Sequence, residues 1–148
     1  MECSSGSARA LRLVLDTNVW LDWLVFRDAS IAALQAAVSA GRAEILIDSA
    51  CLLELERVLG YPLGRFSLGA SGQAAALEDC RRIARSIETP LAPRQALPAC
   101  RDQDDQKFLA LALAGEADML LTKDEALLEL RRRTPFAIVR PGEFALRP

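Results

Sequence analysis

The chain reads as an α/β domain, a three-layer α/β/α sandwich around a central parallel sheet of about five strands. Three observations carry that reading. Short apolar runs alternate with helical patterns along the chain. Those runs are continuously apolar rather than alternating, as strands buried on both faces are. The 148 residues, 51% hydrophobic and 26% charged, suffice for one core, and neither a repeat nor a long linker divides them. Residues 1–10, rich in Ser, Gly and Ala, read as a flexible tail, and residues 11–148 as a single domain.

The elements follow in order. Leu11–Leu15 ("LRLVL") is the first strand. Val19 to Phe26 looks helical, and a better helix from Ala29 to Ala40 is ended by Gly41. "EILID", Glu44 to Asp48, is the second strand; Ser49 caps a helix to Leu59, which "GYPLG" breaks. Residues 64–72 form a Gly/Ser-containing loop, and Gln73 to Ile87 a helix with Leu77, Ile83 and Ile87 among its apolar positions. A weak strand is expected over Glu88 to Leu91, within a Pro-containing stretch that loops on to Pro98. Asp104 to Ala114 is a strong helix ended by Gly115. "DMLLT" (Asp118 to Thr122) is a strand, Glu125 to Arg132 a helix and "FAIVR" (Phe136 to Arg140) the last strand. Pro141-Gly142 leads into a short final helix or tail.

Composition narrows the chemistry. A net charge of −2 argues against a generally basic nucleic-acid surface, though a metal ion or a local Arg patch can still meet phosphates. "MECSSGSARA" lacks the apolar segment of a secretory signal, and no stretch approaches the roughly 20 apolar residues of a membrane span. The four cysteines form no Cys-x-x-Cys pair. The expectation is a soluble cytoplasmic protein with reduced thiols and no membrane association. The chain has no histidine at all, which removes imidazole general bases and makes a zinc site improbable. A hydrolase built from this sequence must activate water with a metal ion or a carboxylate.

Acids stand where open α/β sheets gather functional groups, beyond the carboxyl ends of strands. Asp16 follows the first strand, in "LVLDTNVWL", and Asp124 follows "MLLT". Asp48 follows the second strand, but a helix starts at once, so a share in the cap suffices to explain it. Phe108, Leu109 and Ala112 fall on the helical face of Asp105, which places that acid at the head of the buried stripe. Asp102 and Asp104 suit capping better. Glu54 and Glu56 flank the stripe of Cys51, Leu52, Leu55, Val58 and Leu59 on opposite sides, and periodicity does not choose between them. Each acid has an ordinary alternative: Asp16 and Asp124 are good N-caps, Asn18 caps the second helix equally well, and first-turn acids suit the helix dipole. Taken together these alternatives weaken, because independent caps have no reason to include an acid heading a buried face.

At these residues the sequence resembles the PIN-domain ribonucleases. "LVLDTNVWL" is similar to that family's opening strand, and "SACLLELERVL" to the helix carrying its glutamate, which falls on Glu54. "RDQDDQKFLALALAGEADMLLTKDEALLEL" resembles the second half, with the third and fourth acids on Asp105 and Asp124 and the matching threonine on Thr122. The form of Arg101 to Asp105 resembles the subgroup regarded as toxins of toxin–antitoxin pairs. The resemblance spans roughly residues 11–146 and shows no family pattern over Gly60 to Gly72. Lys123 also departs from it, between Thr122 and Asp124, where it is a candidate partner for a carboxylate.

The resemblance implies an endoribonuclease of single-stranded RNA. Converging carboxylates within ~4–6 Å repel unless a cation intervenes, and all-oxygen ligands suit Mg²⁺ or Mn²⁺. The expectation is that Asp16, Glu54, Asp105 and Asp124 surround one or two such ions and carry catalysis. Asn18 and Thr122 would orient them, with Asp102 and Asp104 close by; which acid of Asp102, Asp104 and Asp105 ligates directly is open. A homodimer and a cognate antitoxin protein are expected by analogy. "RRR" (Arg131 to Arg133) and "RRIAR" (Arg81 to Arg85) are weak candidates for RNA contact against plain solvated surface, and Trp20 and Trp23 suit a core or a dimer surface. The alternative function is a PIN-like protein- or RNA-binding module with little nuclease activity. A haloacid-dehalogenase-type phosphatase would need a second Asp where Asn18 stands, and a response-regulator receiver would need its Asp after a middle strand.

Overall fold

Leu13, Val14 and Leu15 are successive residues and all are buried, as a strand allows only when both faces are covered. Ile45, Leu46 and Ile47, and Met119, Leu120 and Leu121, repeat the pattern. The computed structural model describes residues 9–145 apart from residue 94, so all but the end of the expected tail lies outside the described residues. Arg9, at that end, is tied to Asp118 by a 3.3 Å ion pair.

Five strands form one parallel sheet: β1 (Leu11–Leu15), β2 (Ala43–Ile47), β3 (Ala84–Ser86), β4 (Met119–Leu121) and β5 (Ala137–Val139). Their order is β3-β2-β1-β4-β5. The chain therefore builds outward from β1 to one side and then returns to build on the other. The gap between β1 and β4 is the topological switch point, where α/β sheets open a crevice at the carboxyl ends of the strands. The register there pairs Leu13 with Met119, Val14 with Leu120 and Leu15 with Leu121. The next residues, Asp16 and Thr122, are thereby neighbours.

The helices are α1 (Thr17–Leu21), α2 (Ala32–Ser39), α3 (Ser49–Leu59), α4 (Ala70–Ile83), α5 (Gln106–Ala114), α6 (Glu125–Leu128) and α7 (Pro141–Ala145). The apolar α5 packs against β1, β2 and β4, as its buried Phe108, Leu109, Leu111, Ala112 and Leu113 require. Among the described residues no helix is long and apolar enough to cross a membrane.

Several elements differ from expectation, each for a physical reason. The helix expected from Val19 to Phe26 is α1 followed by a π-helical turn, Asp22–Phe26, which Arg27 ends in the left-handed region at φ 54°. The cap of α3 is Asp48 rather than Ser49: its carboxylate accepts from the Cys51 amide at 2.9 Å. Helix α4 begins at Ala70, not Gln73, and stops at Ile83, not Ile87. The third strand then lies at Ala84–Ser86 instead of Glu88 to Leu91. Ile83 and Ile87 keep a helical spacing, but pairing with β2 overrides it; the Ile87 amide still donates to the Ile47 carbonyl at 2.9 Å.

Two helix ends show what a glycine is for. Gly41, at φ +76°, closes α2 with the paired amide bonds of a left-handed cap, Gly41 to Val38 and Arg42 to Ala37. Gly115 does not play that part after α5. The left-handed residue is Glu116, at φ 51°, and Gly115 is small because a Cβ there would stand 2.4 Å from Leu46 Cδ1.

Candidate metal centre

Asp16 leaves β1 buried, only 3% exposed, at the switch point. Its amide continues the ladder to the Leu121 carbonyl at 3.1 Å. Its Oδ1 accepts from the Val19 amide at 2.9 Å and so caps α1. Its Oδ2 accepts from the Thr122 hydroxyl. That hydroxyl oxygen in turn accepts from the Asp124 amide at 2.9 Å, and Asp124 Oδ1 caps α6 through the Ala126 amide at 2.9 Å. The two acids are thus caps and neighbours at once, joined by one fully buried threonine. Burial pushes the Asp16 carboxyl up to about 6, against the pull of its hydrogen bonds to Thr122 and Val19.

Asp105 approaches from the other side. The backbone before α5 is a 3-10 turn, Gln103–Asp105, capped by the Asp102 carboxylate on the Asp104 amide at 3.0 Å. The turn brings the carboxylates of Asp102, Asp105 and Asp124 together, with ligand atoms all within 4.8 Å of one another. One oxygen of Asp105, Oδ2, is buried without a hydrogen-bond partner. Burial, then the carboxylates of Asp124, Asp102 and Asp16, push Asp105 far above the usual range. Asp124 moves down, drawn chiefly by hydrogen bonding with Asp105 and helped by the Ala126 amide and the Arg101 guanidinium. Asp104 is exposed, and its carboxylate is not part of this group.

Glu54 is the half-buried glutamate of α3, whereas Glu56 is exposed. The Thr17 hydroxyl donates to its Oε2, and the Lys107 ammonium lies 2.5 Å from its Oε1. Glu54 is therefore linked to the aspartates through chain neighbours: Thr17 follows Asp16, and Lys107 comes two residues after Asp105. Asn18 is exposed and makes no side-chain hydrogen bond to another described residue. Lys123 finds a carboxylate outside the group, lying 2.5 Å from the buried Asp22. Sequence reasoning passed over Thr17, Lys107 and Asp22 as members of this neighbourhood. Only Lys107 carried a signal, as the single charge in "QKFLALALA".

Three of the basic candidates and both tryptophans have ordinary partners. Arg82 pairs with Asp79 at 2.5 Å, Arg85 with Glu44 at 3.6 Å and Arg131 with Glu143 at 3.9 Å. Trp20 is core, its ring centroid 6.0 Å from that of the half-buried Trp23.

The donor set fits a hard divalent cation. It is carboxylate oxygen alone, with no imidazole available in the sequence and the described thiols of Cys51, Cys80 and Cys100 buried as free cysteines. The unpartnered Asp105 oxygen and the mutual repulsion of the group are the marks of a site that a cation would satisfy.

Comparison with known proteins gives three findings. A family model described as PIN domain matches residues 12–126. No curated protein matches the chain. Sixteen chains of solved structures match. One is from the crystal structure of VapBC2 from Rickettsia felis bound to a DNA fragment from their promoter. The match has a TM-score of 0.62 and 17% sequence identity, and covers 88% of this chain and 98% of that one.

Proposed function

The chain belongs to the PIN-domain family, and from that premise we propose that it is a metal-dependent endoribonuclease of single-stranded RNA, acting as the toxin of a toxin–antitoxin pair. The single observation that carries the metal-dependent reading is the grouping of Asp102, Asp105 and Asp124 around a buried, unpartnered Asp105 oxygen. Asp105 and Asp124, with Asp16 behind them, would hold Mg²⁺ or Mn²⁺, and Glu54 stands nearby on the ammonium of Lys107. Asp102 would ligate directly or through water. When bound, the cation supplies an acidified water and positive charge against the phosphodiester.

The chain's own residues supply the rest. Asp16 and Asp124 are held rigidly because each caps a helix with one oxygen while Thr122 locks them together. Of the two orienting residues expected, Thr122 has the geometry for that work; exposed Asn18 is free to meet substrate instead. Lys107 and Lys123 neutralise Glu54 and Asp22, which limits the negative potential an RNA backbone must approach. An antitoxin partner is supported by analogy with the VapBC2 match, and a homodimer by the family analogy alone.

Cleavage of a mixed pool of single-stranded RNAs tests the reading, with Mn²⁺, Mg²⁺ and EDTA compared and Asp105→Asn alongside. Cutting that needs the metal and vanishes in the variant is the expected result. No cutting by folded, partner-free protein would move the assignment to a binding module. Growth arrest on expression, relieved by a co-expressed antitoxin, tests the toxin role separately.

A further inference from the structure

Lys107 is the only charged residue of α5. Its ammonium is 2.5 Å from Glu54 Oε1 and 2.5 Å from the Asp104 carbonyl, and it sits 5.5 Å from the centroid of the Phe108 ring. The ion pair is substantially buried, with side-chain exposures of 23% for Lys107 and 12% for Glu54. The other oxygen of Glu54 is taken by Thr17. Both oxygens of this glutamate are therefore occupied by the chain itself. The acids fall into two sets: three aspartates, one of them with a buried unpartnered oxygen, and a glutamate already matched to a cation.

Resting on the reading of the aspartates as a divalent-metal centre, we propose that Lys107 is a resident cation that fixes the metal count at one. Its ammonium occupies Glu54 as a second metal ion would, and it repels a further cation from the same place. Glu54 then bears on the metal through Lys107, not as a ligand to a second ion. Lys107 is a positioning residue: it touches neither substrate nor metal and acts by withholding a carboxylate. Removing its charge leaves a half-buried glutamate whose remaining counter-ion is the exposed Arg57 guanidinium, 3.9 Å from Oε1, an arrangement open to a divalent ion.

Counting bound Mn²⁺ tests this, by calorimetric titration and by the electron paramagnetic resonance signal of free Mn²⁺, with circular dichroism to establish folding. Wild type should bind one ion, Lys107→Arg one, and Lys107→Met or Lys107→Gln a second, weaker one. The double variant Lys107→Met/Glu54→Gln should return to one. Glu54→Gln alone should keep one, whereas a protein whose Glu54 already ligated a second ion would fall from two to one. Two ions on wild type, or one on both neutral Lys107 variants, overturns the proposal while leaving the metal centre standing. No Mn²⁺ uptake by wild type overturns the metal centre itself, and the proposal with it.

Discussion

Two strand ends in this molecule look alike and face different surroundings. β1 ends in "VLDTNV" and β2 in "LIDSAC". Each aspartate is buried, at 3% for Asp16 and 5% for Asp48. Each caps the helix that follows through an amide three residues on, at 2.9 Å in both cases. The difference is the neighbouring strand. β2 lies between β1 and β3, on the side the chain builds first, and among the described residues the hydrogen bonds of the Asp48 carboxylate go to Cys51 of its own helix. β1 borders β4 across the switch point, so Asp16 meets Thr122, Asp124 and Asp105. A cap joins a group of acids when the strand order sets other carboxylates beside it. Local sequence does not distinguish the two cases.

Paired substitutions can break or sharpen that contrast. The largest effect expected is on RNA cleavage: Asp16→Asn should lower it by about a hundredfold or more, as loss of a group that organises transition-state charge does. Asp48→Asn should leave it within a few-fold, since Asn is an equal cap. If both variants lost activity alike, the contrast would fail. Thr122→Val should come next, with a tenfold to hundredfold loss typical of a residue that orients ligands, and Thr122→Ser should recover most of it.

The third contrast concerns pH, with metal removed by chelation. An acid whose carboxyl is raised on folding binds a proton more readily in the folded state. Its contribution is present at low pH and is lost as pH rises through the folded value. For Asp16, raised from 3.8 to about 6, that window runs from roughly pH 4 to above pH 6. The loss is ~3 kcal/mol at 1.36 kcal/mol per unit. Urea denaturation across this range should show the decline in wild type and in Asp48→Asn, and a flatter profile in Asp16→Asn. The smallest effect belongs to the plain cap: Asp48→Ala should cost about 1 kcal/mol in the same assay, and Asp48→Asn a few tenths.

Much of this was legible from the residues. Continuous apolar runs such as Leu13 to Leu15 announce a strand buried on both faces, and they were placed correctly because burial on two sides leaves no polar position to mislead. Asp105 stood out because Phe108, Leu109 and Ala112 are indeed buried on its face. The errors cluster where tertiary contacts overrule local pattern. Ile83 and Ile87 read as helix until β2 claims the segment between them as an edge strand. Gly115 does end α5 as the sequence predicts, but the left-handed conformation falls on Glu116, and Gly115 answers to Leu46 across the sheet. The expected orienting pair divides in the same way: Thr122 is sealed inside the register of β1 and β4, and Asn18 faces solvent.

The sequence by itself determined the fold class, the absence of imidazole chemistry and the short set of acids from which a site could be drawn, because apolar patterning, the alternation of elements and composition are properties of the chain itself. The family resemblance singles out Asp16, Glu54, Asp105 and Asp124, and only the tertiary structure supplies the partners that set them apart. It turned Glu54 toward Thr17 and Lys107 and left Glu56 outside, although helical periodicity weighed the two equally. It separated Asp16 from Asp48 by strand order alone. The physical reason is that a carboxylate's role depends on which charges and hydroxyls face it across the fold, and those partners lie 106 residues away for Asp16 and Thr122 and 37 for Thr17 and Glu54.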